Sequence, residues 1–393
     1  MNISKALKSR WRAIPILGFA QILSWGAIYY TPVLIVPLIA EARGWSLTLA
    51  MAGFSVGLLA AGLASPFVGK WIDRYGGHRV MPAGFLLGAF ALVAIGFATN
   101  IAAYFAVWIV IGFAMAASLY DPAFATLARI FGSNARSAIT LLTFIGGFAS
   151  TVSWPLTHLL LEKIGWQATY QVYAALLALA AAPLLAFTLP REQAAKLPLP
   201  ENPVHKAKYL TAKGLPFLLV ACGFALYMFI PSALSAHMLA IFQREGIDAA
   251  TVVTIGALFG PAQVSARLIE FTFGRKQHPL DIARLALCIL LIACAGLVWR
   301  GFSPVLAACF TIMFGIANGW MTISRGNVPL ALFGPNGYGR MIGQIAAPVL
   351  FMQAVGPLLL ALVAERFSDG AAIGTVGLFA LAALVCFLAI RRP

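Results

Sequence analysis

Twelve long apolar runs, separated by short polar breaks, dominate this 393-residue chain. A helix needs about 20 apolar residues to cross roughly 30 Å of hydrocarbon. The runs lie at 14–40, 46–70, 79–99, 102–131, 137–161, 168–189, 215–242, 249–273, 280–299, 303–332, 340–364 and 371–390. Only 10% of the residues are charged and 61% are hydrophobic, which is too few polar side chains for a water-soluble surface. Because the runs lack the alternation of barrel strands, we predict an all-α membrane protein with twelve transmembrane helices.

The formal net charge of +15 raises the possibility of nucleic-acid binding, but the positions of the charges argue against it. Twenty of the 27 Lys and Arg residues fall in one set of alternate loops. Five fall in the other set: Arg43, Lys163, Arg244, Arg300 and Arg366. Since cytoplasmic loops carry the excess of basic residues, we expect both termini in the cytoplasm of a plasma membrane, most simply a bacterial inner membrane.

A Pro- and Lys-rich interval at 190–214 separates six runs from six. It is predicted to be a cytoplasmic linker between an N-terminal six-helix bundle (1–189) and a C-terminal one (215–393). Shared landmarks 202 residues apart, such as FGSNARSAI (131–139) and FGPNGYGRM (333–341), indicate an internal duplication. Parallel repeats of this kind are a transporter architecture, in which substrates bind near the bilayer midplane.

A short motif, GKWIDRYGGHR, lies between the second and third runs. Its residues Gly69, Asp73, Arg74, Gly76 and Arg79 match the loop signature of the major facilitator superfamily, and the chain resembles that family over nearly its whole length. The resemblance implies two six-helix bundles related by a pseudo-twofold axis and moving by alternating access.

In that family the motif's first glycine allows close helix contact, and its acid and base form a cytoplasmic latch that stabilises the outward-open state. By resemblance these roles pass to Gly69, Asp73 and Arg74. The alternative, that Lys70, Arg74 and Arg79 serve only to set the topology, does not explain Asp73 or the glycines. The second half does not repeat the motif, so whether Glu270 forms a second latch stays open.

Three charged residues lie deep in apolar runs, where an ionised side chain costs roughly 2.5–3.5 kcal/mol and therefore needs a partner, a cavity or a function. Asp121, in SLYDPAF, is about 15 Å from the Phe131 end of its helix, and Arg325 and Arg267 are about 12 and 10 Å deep. In the family that the chain resembles, helices 1, 4, 7 and 10 line the cavity and helix 8 flanks it. All three deep charges fall on those helices.

These charges suggest a mechanism. Arginine forks suit bidentate capture of a carboxylate, so we expect Arg325, assisted by Arg267, to bind an organic anion. Asp121 would couple proton movement to transport, or it could instead neutralise an arginine as a structural lock. Further candidates for substrate contact are Tyr29 and Tyr30 near the prolines of helix 1, Tyr227 on helix 7, and Gln263 one turn before Arg267.

The chain is therefore expected to be a secondary transporter of a small anionic solute, by proton coupling or exchange, and not an enzyme. Arg267 matches an arginine of the monocarboxylate and oxalate/formate exchanger branch, and other stretches resemble bacterial arsenical-efflux members. Efflux of drugs or arsenicals by proton antiport is one alternative, and a transport-incompetent receptor or sensor is another. We expect a monomer in membrane lipid whose partners are the solute and a proton or counter-substrate, with no nucleic acid, metal or cofactor.

Overall fold

The computed structural model describes residues 10–190, 209–210, 213–274 and 277–391, and within these ranges the chain is helical, with no strand. The all-α prediction is confirmed. The first half forms nine α-helices in the part described: α1 (Ala13–Ser24), α2 (Thr31–Arg43), α3 (Leu47–Tyr75), α4 (Gly77–Phe97), α5 (Ile101–Ser118), α6 (Tyr120–Phe131), α7 (Ala135–Gly146), α8 (Ala149–Ala175) and α9 (Ala182–Thr188). Two π-helical segments, Trp25–Tyr30 and Leu176–Ala181, join α1 to α2 and α8 to α9.

The described part of the second half is also helical. Its described helices are α10 (Leu215–Arg244), α11 (Ala249–Ala257), α12 (Phe259–Phe273), α13 (Pro279–Arg300), α14 (Pro304–Phe333), α15 (Tyr338–Arg366) and α16 (Asp369–Leu388).

Each of the twelve apolar runs coincides with helical structure. Ten helical stretches of the described chain are long and apolar enough to cross a membrane, and one of them, Ile101–Thr188, has 88 residues. That stretch would be about 130 Å long if it were straight, so it must hold several crossings. It contains three of the predicted runs, which are divided by a 3₁₀ turn at Gly132–Asn134 and by Gly165, whose φ is 73°.

The chain divides into two compact units. Unit 1 comprises Met1–Pro203 together with Pro335–Ala347, and unit 2 comprises Val204–Gly334 together with Pro348–Pro393. The first turns of α15 therefore pack with the first half of the chain, which the predicted bundles at 1–189 and 215–393 did not anticipate. Most of the predicted linker at 190–214 lies outside the described residues.

Glycines let neighbouring helices of unit 1 approach until their backbones touch. A Cβ on Gly112 of α5 would overlap the carbonyl oxygen of Gly57 on α3 and would lie 2.7 Å from the Cβ of Ala60. On α3, a Cβ on Gly57 would lie 3.2 Å from the carbonyl oxygen of Trp108. The GFSVG stretch of α3 is therefore a helix-packing face, as small residues four apart commonly are in membranes.

A methyl group at this crossing should destabilise the protein. Gly112→Ala would push backbone against backbone, and we expect a cost of about 1–3 kcal/mol from overpacking. Gly296→Ala is the matched control. Gly296 also lies within a helix, α13, but a Cβ there would have no neighbouring atom within 4 Å. Thermal unfolding in detergent should show a lower midpoint for Gly112→Ala and an unchanged or slightly higher one for Gly296→Ala. Equal midpoints for the two variants would contradict this packing.

Candidate functional site

The fourth apolar run is not one helix, because it breaks just before Asp121. α5 ends at Ser118, α6 begins at Tyr120, and Leu119 between them has an extended backbone with φ −81° and ψ −158°. Pro122 explains the break, since in a continuous helix its ring would clash with the carbonyl of Ser118 four residues earlier. Asp121 consequently sits in the first turn of a half-helix, at the positive end of the peptide dipoles.

The break is tied to α1 by side chains that the sequence reasoning missed. The Gln21 side-chain amide donates to the carbonyl oxygen of Ser118 at 2.8 Å, and the Ser24 hydroxyl donates to the Ser118 hydroxyl at 3.0 Å. The Trp25 indole N–H in turn donates to Gln21 Oε1 at 3.1 Å. Gln21, Ser24 and Trp25 are spaced i, i+3, i+4 on one face of α1, which was the available signal in the sequence.

The first transmembrane helix, here called helix 1, consists of α1, the segment Trp25–Tyr30 and α2, and its winding changes in the middle. The six residues Trp25–Tyr30 are π-helical, and Pro32 follows as the second residue of α2. A continuous α-helix would place the Pro32 ring against the carbonyl of Ile28, so the wider turn accommodates the proline. The predicted residues Tyr29 and Tyr30 lie on this segment, both partly exposed, with ring centroids 5.4 Å apart.

A small cavity inside unit 1 reaches Asp121. Its walls include Asp121 of α6, Ser65 and Gly69 of α3, and Gly339 and Gly343 of α15. It has room for about one water molecule. Asp121 therefore shares a cavity with Gly69, the first glycine of the family motif.

The acid of that motif holds the start of α15. Asp73 accepts hydrogen bonds from the backbone N–H of Gly339 at Oδ1, 2.9 Å, and from that of Arg340 at Oδ2, 2.7 Å. These N–H groups belong to the first turn of α15, which has no intrahelical acceptors and carries partial positive charge. The contact is close because of two glycines: a Cβ on Gly69 would overlap the Gly339 carbonyl oxygen, and a Cβ on Gly339 would lie 2.6 Å from Asp73 Oδ1.

The basic residues of the motif are arranged differently from Asp73. Arg74 is exposed and lies over the ring of Tyr75, 5.2 Å from its centroid, and Arg79 is exposed in the first turn of α4. The guanidinium that reaches the Asp73 backbone carbonyl belongs to Arg129 of α6. Gly76 has φ 83°, a conformation that favours glycine, and it separates α3 from α4.

Unit 2 gathers a second set of polar groups on α10, α12 and α14. The Tyr227 hydroxyl of α10 donates to Asn318 Oδ1 of α14 at 2.9 Å. Arg267 is 3% exposed and Glu270, one turn further along α12, is 4% exposed. Asn318 escaped the sequence reasoning, although an amide within an apolar run was a visible signal.

Close helix packing positions the remaining candidates of unit 2. A Cβ on Gly319 of α14 would lie 2.6 Å from the Gln263 carbonyl oxygen, so α12 and α14 touch at Gln263. The Trp320 indole N–H donates to the Ala266 carbonyl oxygen at 2.9 Å, next to Arg267. Arg325 is partly exposed and seven residues beyond Asn318, two helical turns along the same face of α14.

The sequence of this chain matches the family model of the Major Facilitator Superfamily over residues 17–346. The chain belongs to that superfamily. It is a multi-pass membrane protein and a secondary transporter, not an enzyme. A comparison with curated proteins found no match.

Solved structures of major facilitator transporters share the fold at low sequence identity. The human organic anion transporter MFSD10 (TETRAN) has a TM-score of 0.73 and 16% identity, over 96% of this chain and 99% of that one. The E. coli fucose:proton symporter FucP has a TM-score of 0.74 and 12% identity, over 95% and 98%. The proton:xylose symporter XylE, solved with 6-bromo-6-deoxy-D-glucose, has a TM-score of 0.72 and 11% identity, over 96% and 95%.

Removing the Asp73 charge should loosen the first turn of α15. Asp73→Asn keeps one acceptor oxygen but turns an N–H₂ group toward the amides of Gly339 and Arg340. We expect the peptide covering 338–343 to exchange its amide hydrogens about fivefold faster, in line with the loss of a helix cap. Hydrogen-exchange mass spectrometry in detergent measures this.

Asp248→Asn supplies the control for that measurement. Asp248 also caps a helix, since its Oδ1 accepts from the Thr251 backbone N–H at 3.0 Å at the start of α11, and hydrogen bonds from Thr251 lower its pKa. Asp248→Asn should leave exchange at 338–343 unchanged. Unchanged exchange in Asp73→Asn would show that the carboxylate does not hold α15.

Proposed function

We propose that this transporter moves a small organic anion, in the first instance a carboxylate, by alternating access, and that it couples this movement to a proton or to a counter-substrate. The observation that carries the proposal is the burial of Arg267 on α12 of unit 2, a unit whose helices α10 and α14 also carry the hydrogen-bonded pair Tyr227–Asn318. A guanidinium presents five N–H donors in a fixed plane, which match the two oxygens of a carboxylate. A cation kept at this depth in an apolar run is costly unless it serves binding or structure.

Arg325 and Gln263 extend this polar surface. Arg325 lies on the Asn318 face of α14, and Gln263 lies one turn before Arg267 on α12. Charged and uncharged donors along neighbouring helices suit an anion that also carries hydroxyl or carbonyl oxygens. Within unit 1, Tyr29 and Tyr30 are separately proposed as substrate contacts.

Asp121 is the proposed proton site. It lines the cavity of unit 1, which has room for a water molecule to exchange a proton with the carboxylate. It also sits at the start of a half-helix, the kind of broken segment at which transporters bind ions and substrates.

The proposed latch is the contact between Asp73 and the first turn of α15, with Gly69 allowing the approach. Separating Asp73 from α15 would cost free energy, because it would break two hydrogen bonds to N–H groups that have no acceptor within the helix. The latch would thereby stabilise one state of the transport cycle, the outward-open one by family resemblance. Arg129 extends it to α6, the helix that carries Asp121.

The structural neighbours make these chemistries reasonable on this scaffold without assigning them. MFSD10 is described as an organic anion transporter, and XylE and FucP as proton symporters. The excess of basic residues in alternate loops supports cytoplasmic termini, and a bacterial inner membrane remains our proposed location.

Efflux of cationic compounds is a second candidate, favoured by one observation. Tyr120, next to Asp121, belongs to a group of aromatic rings with Trp25, whose ring centroid is 5.0 Å away. Aromatic faces beside a carboxylate suit an organic cation. In this reading Asp121 would contact the solute itself.

Uptake of labelled carboxylates into proteoliposomes should depend on Arg267. Arg267→Gln removes a charge that binds the anion, and we expect kcat/KM to fall at least about tenfold, as for loss of a charged hydrogen bond. Arg325→Gln should also reduce uptake, and Arg300→Gln, an exposed residue at the end of α13, is the control that should not. Full uptake by Arg267→Gln would refute the anion site, and binding without any flux in the wild type would favour a receptor.

Proton coupling should depend on Asp121. Asp121→Asn cannot release a proton, so an imposed pH gradient should no longer drive accumulation, while solute exchange without a gradient should persist. The measurement compares gradient-driven uptake with counterflow in the same proteoliposomes. Glu245→Gln, an exposed acid beyond α10, should behave as the wild type. Gradient-driven accumulation by Asp121→Asn would exclude this residue as the coupling site.

A further inference from the structure

Five partly exposed aromatic side chains meet in unit 1 where helix 1 changes its winding. They are Trp25, Tyr29 and Tyr30 of the π-helical segment, Phe54 of α3 and Tyr120 of α6. We propose that this cluster, here called the ring subsite, binds the planar body of the solute, so that the preferred substrates are carboxylates bearing an aromatic ring. The inference rests on the proposed anion transport and narrows its substrate class.

The rings of the subsite are arranged edge to face. The centroid of Trp25 lies 4.8 Å from that of Tyr29 at 65° between planes, and 5.0 Å from that of Tyr120 at 48°. Tyr29 lies 5.4 Å from Tyr30 at 90° and 5.5 Å from Phe54 at 65°. Each of the five side chains keeps part of its surface exposed, and exposed aromatic surface attracts the edge of another ring or an offset stack.

The winding of helix 1 produces this concentration of rings. In an α-helix only residues three or four apart share a face. Bonding over five residues widens the turn, and Trp25 accordingly contacts both Tyr29, four residues on, and Tyr30, five residues on, at 5.9 Å. Single π-turns occur often at functional sites.

Two of the rings are held in place before any solute binds. The Trp25 indole N–H donates to Gln21 Oε1, and Gln21 is itself fully buried and bonded to the Ser118 carbonyl oxygen. Tyr120 stacks on Phe124, with centroids 5.3 Å apart and planes 8° apart. Rings whose rotamers are already fixed lose little entropy on binding, which favours recognition.

Comparison with the neighbouring aromatic core separates a binding surface from ordinary packing. Tyr104, Trp108 and Phe124 are at most 1% exposed and fill the interior of unit 1. The five rings of the subsite stay partly exposed, and they stand next to Asp121 and to the buried polar groups Gln21, Ser24 and Ser118. A solute ring would cover apolar surface that the protein itself leaves uncovered.

The test compares paired carboxylates that differ only in a phenyl ring, such as phenyllactate and lactate. Binding is measured by thermal stabilisation of the full chain in detergent and transport by counterflow in proteoliposomes. The wild type should prefer the ring-bearing partner by at least about tenfold, a preference that Trp25→Ala should reduce to about twofold or less. Trp25→Phe, which keeps a ring, should retain most of the preference and guards against misfolding of the alanine variant. Trp299→Ala, which removes an exposed indole from α13, is the matched control and should change nothing.

The outcomes separate this inference from the anion proposal. No ring preference in the wild type, or an equal loss for both partners in Trp25→Ala, would overturn the ring subsite even if carboxylates are transported. If neither carboxylate binds but ring-bearing cations stabilise the protein through Trp25, the ring subsite stands and the anion proposal fails. An unchanged preference in Trp25→Ala would also overturn the subsite.

Discussion

The ring of Pro122 sets the geometry of the centre of unit 1. It has no N–H to bond the Ser118 carbonyl and its ring crowds that carbonyl in a helix, and the fourth apolar run divides here into α5 and α6. Lipid offers no water to satisfy the freed Ser118 carbonyl, and Gln21 of helix 1 supplies the hydrogen bond instead. Because Gln21 also holds the Trp25 indole, one backbone break fixes the acid, the polar link between two helices and an aromatic ring.

Glycines also allow close contacts between helices in both units. In unit 1 the backbones of α3 and α15 meet at Gly69 and Gly339, and the carboxylate of Asp73 then lies within hydrogen-bond distance of a helix N-terminus. In unit 2 Gly319 lets α14 approach α12 beside Gln263. The functional side chains depend on these approaches, because even a methyl group at either crossing would separate the helices that carry them.

The two units differ in the charges they keep inside. Unit 1 holds the acid Asp121 next in the chain to the aromatic Tyr120, whereas unit 2 buries Arg267 and Glu270 on α12. Such charges are expensive in a membrane and mark pathways for substrates and protons. The asymmetry supports a transporter that handles a proton and an anion with different parts of the chain.

Hydropathy was sufficient to predict the helical class, and the motif around Asp73 was sufficient to predict the family, because apolar length and a contiguous motif are local properties of the sequence. The break at Leu119 and the π-turn at Trp25–Tyr30 were not predicted in detail, since one residue of altered winding leaves the hydropathy almost unchanged. Gln21 and Asn318 were missed because their partners are 97 and 91 residues away in the chain. The grouping of Pro335–Ala347 with unit 1 likewise depends on tertiary contacts that a repeat offset does not contain.

The central claim, that the solute is an organic anion, is tested most directly on the unmodified protein. Thermal stability in detergent would be measured against increasing concentrations of carboxylates, arsenicals and cationic drugs, since a ligand of the folded state raises the unfolding midpoint by mass action. For an organic-anion transporter we expect a saturable rise with one or more carboxylates and none with the cations. A saturable rise with cationic drugs or arsenicals, and no response to any carboxylate, would contradict it.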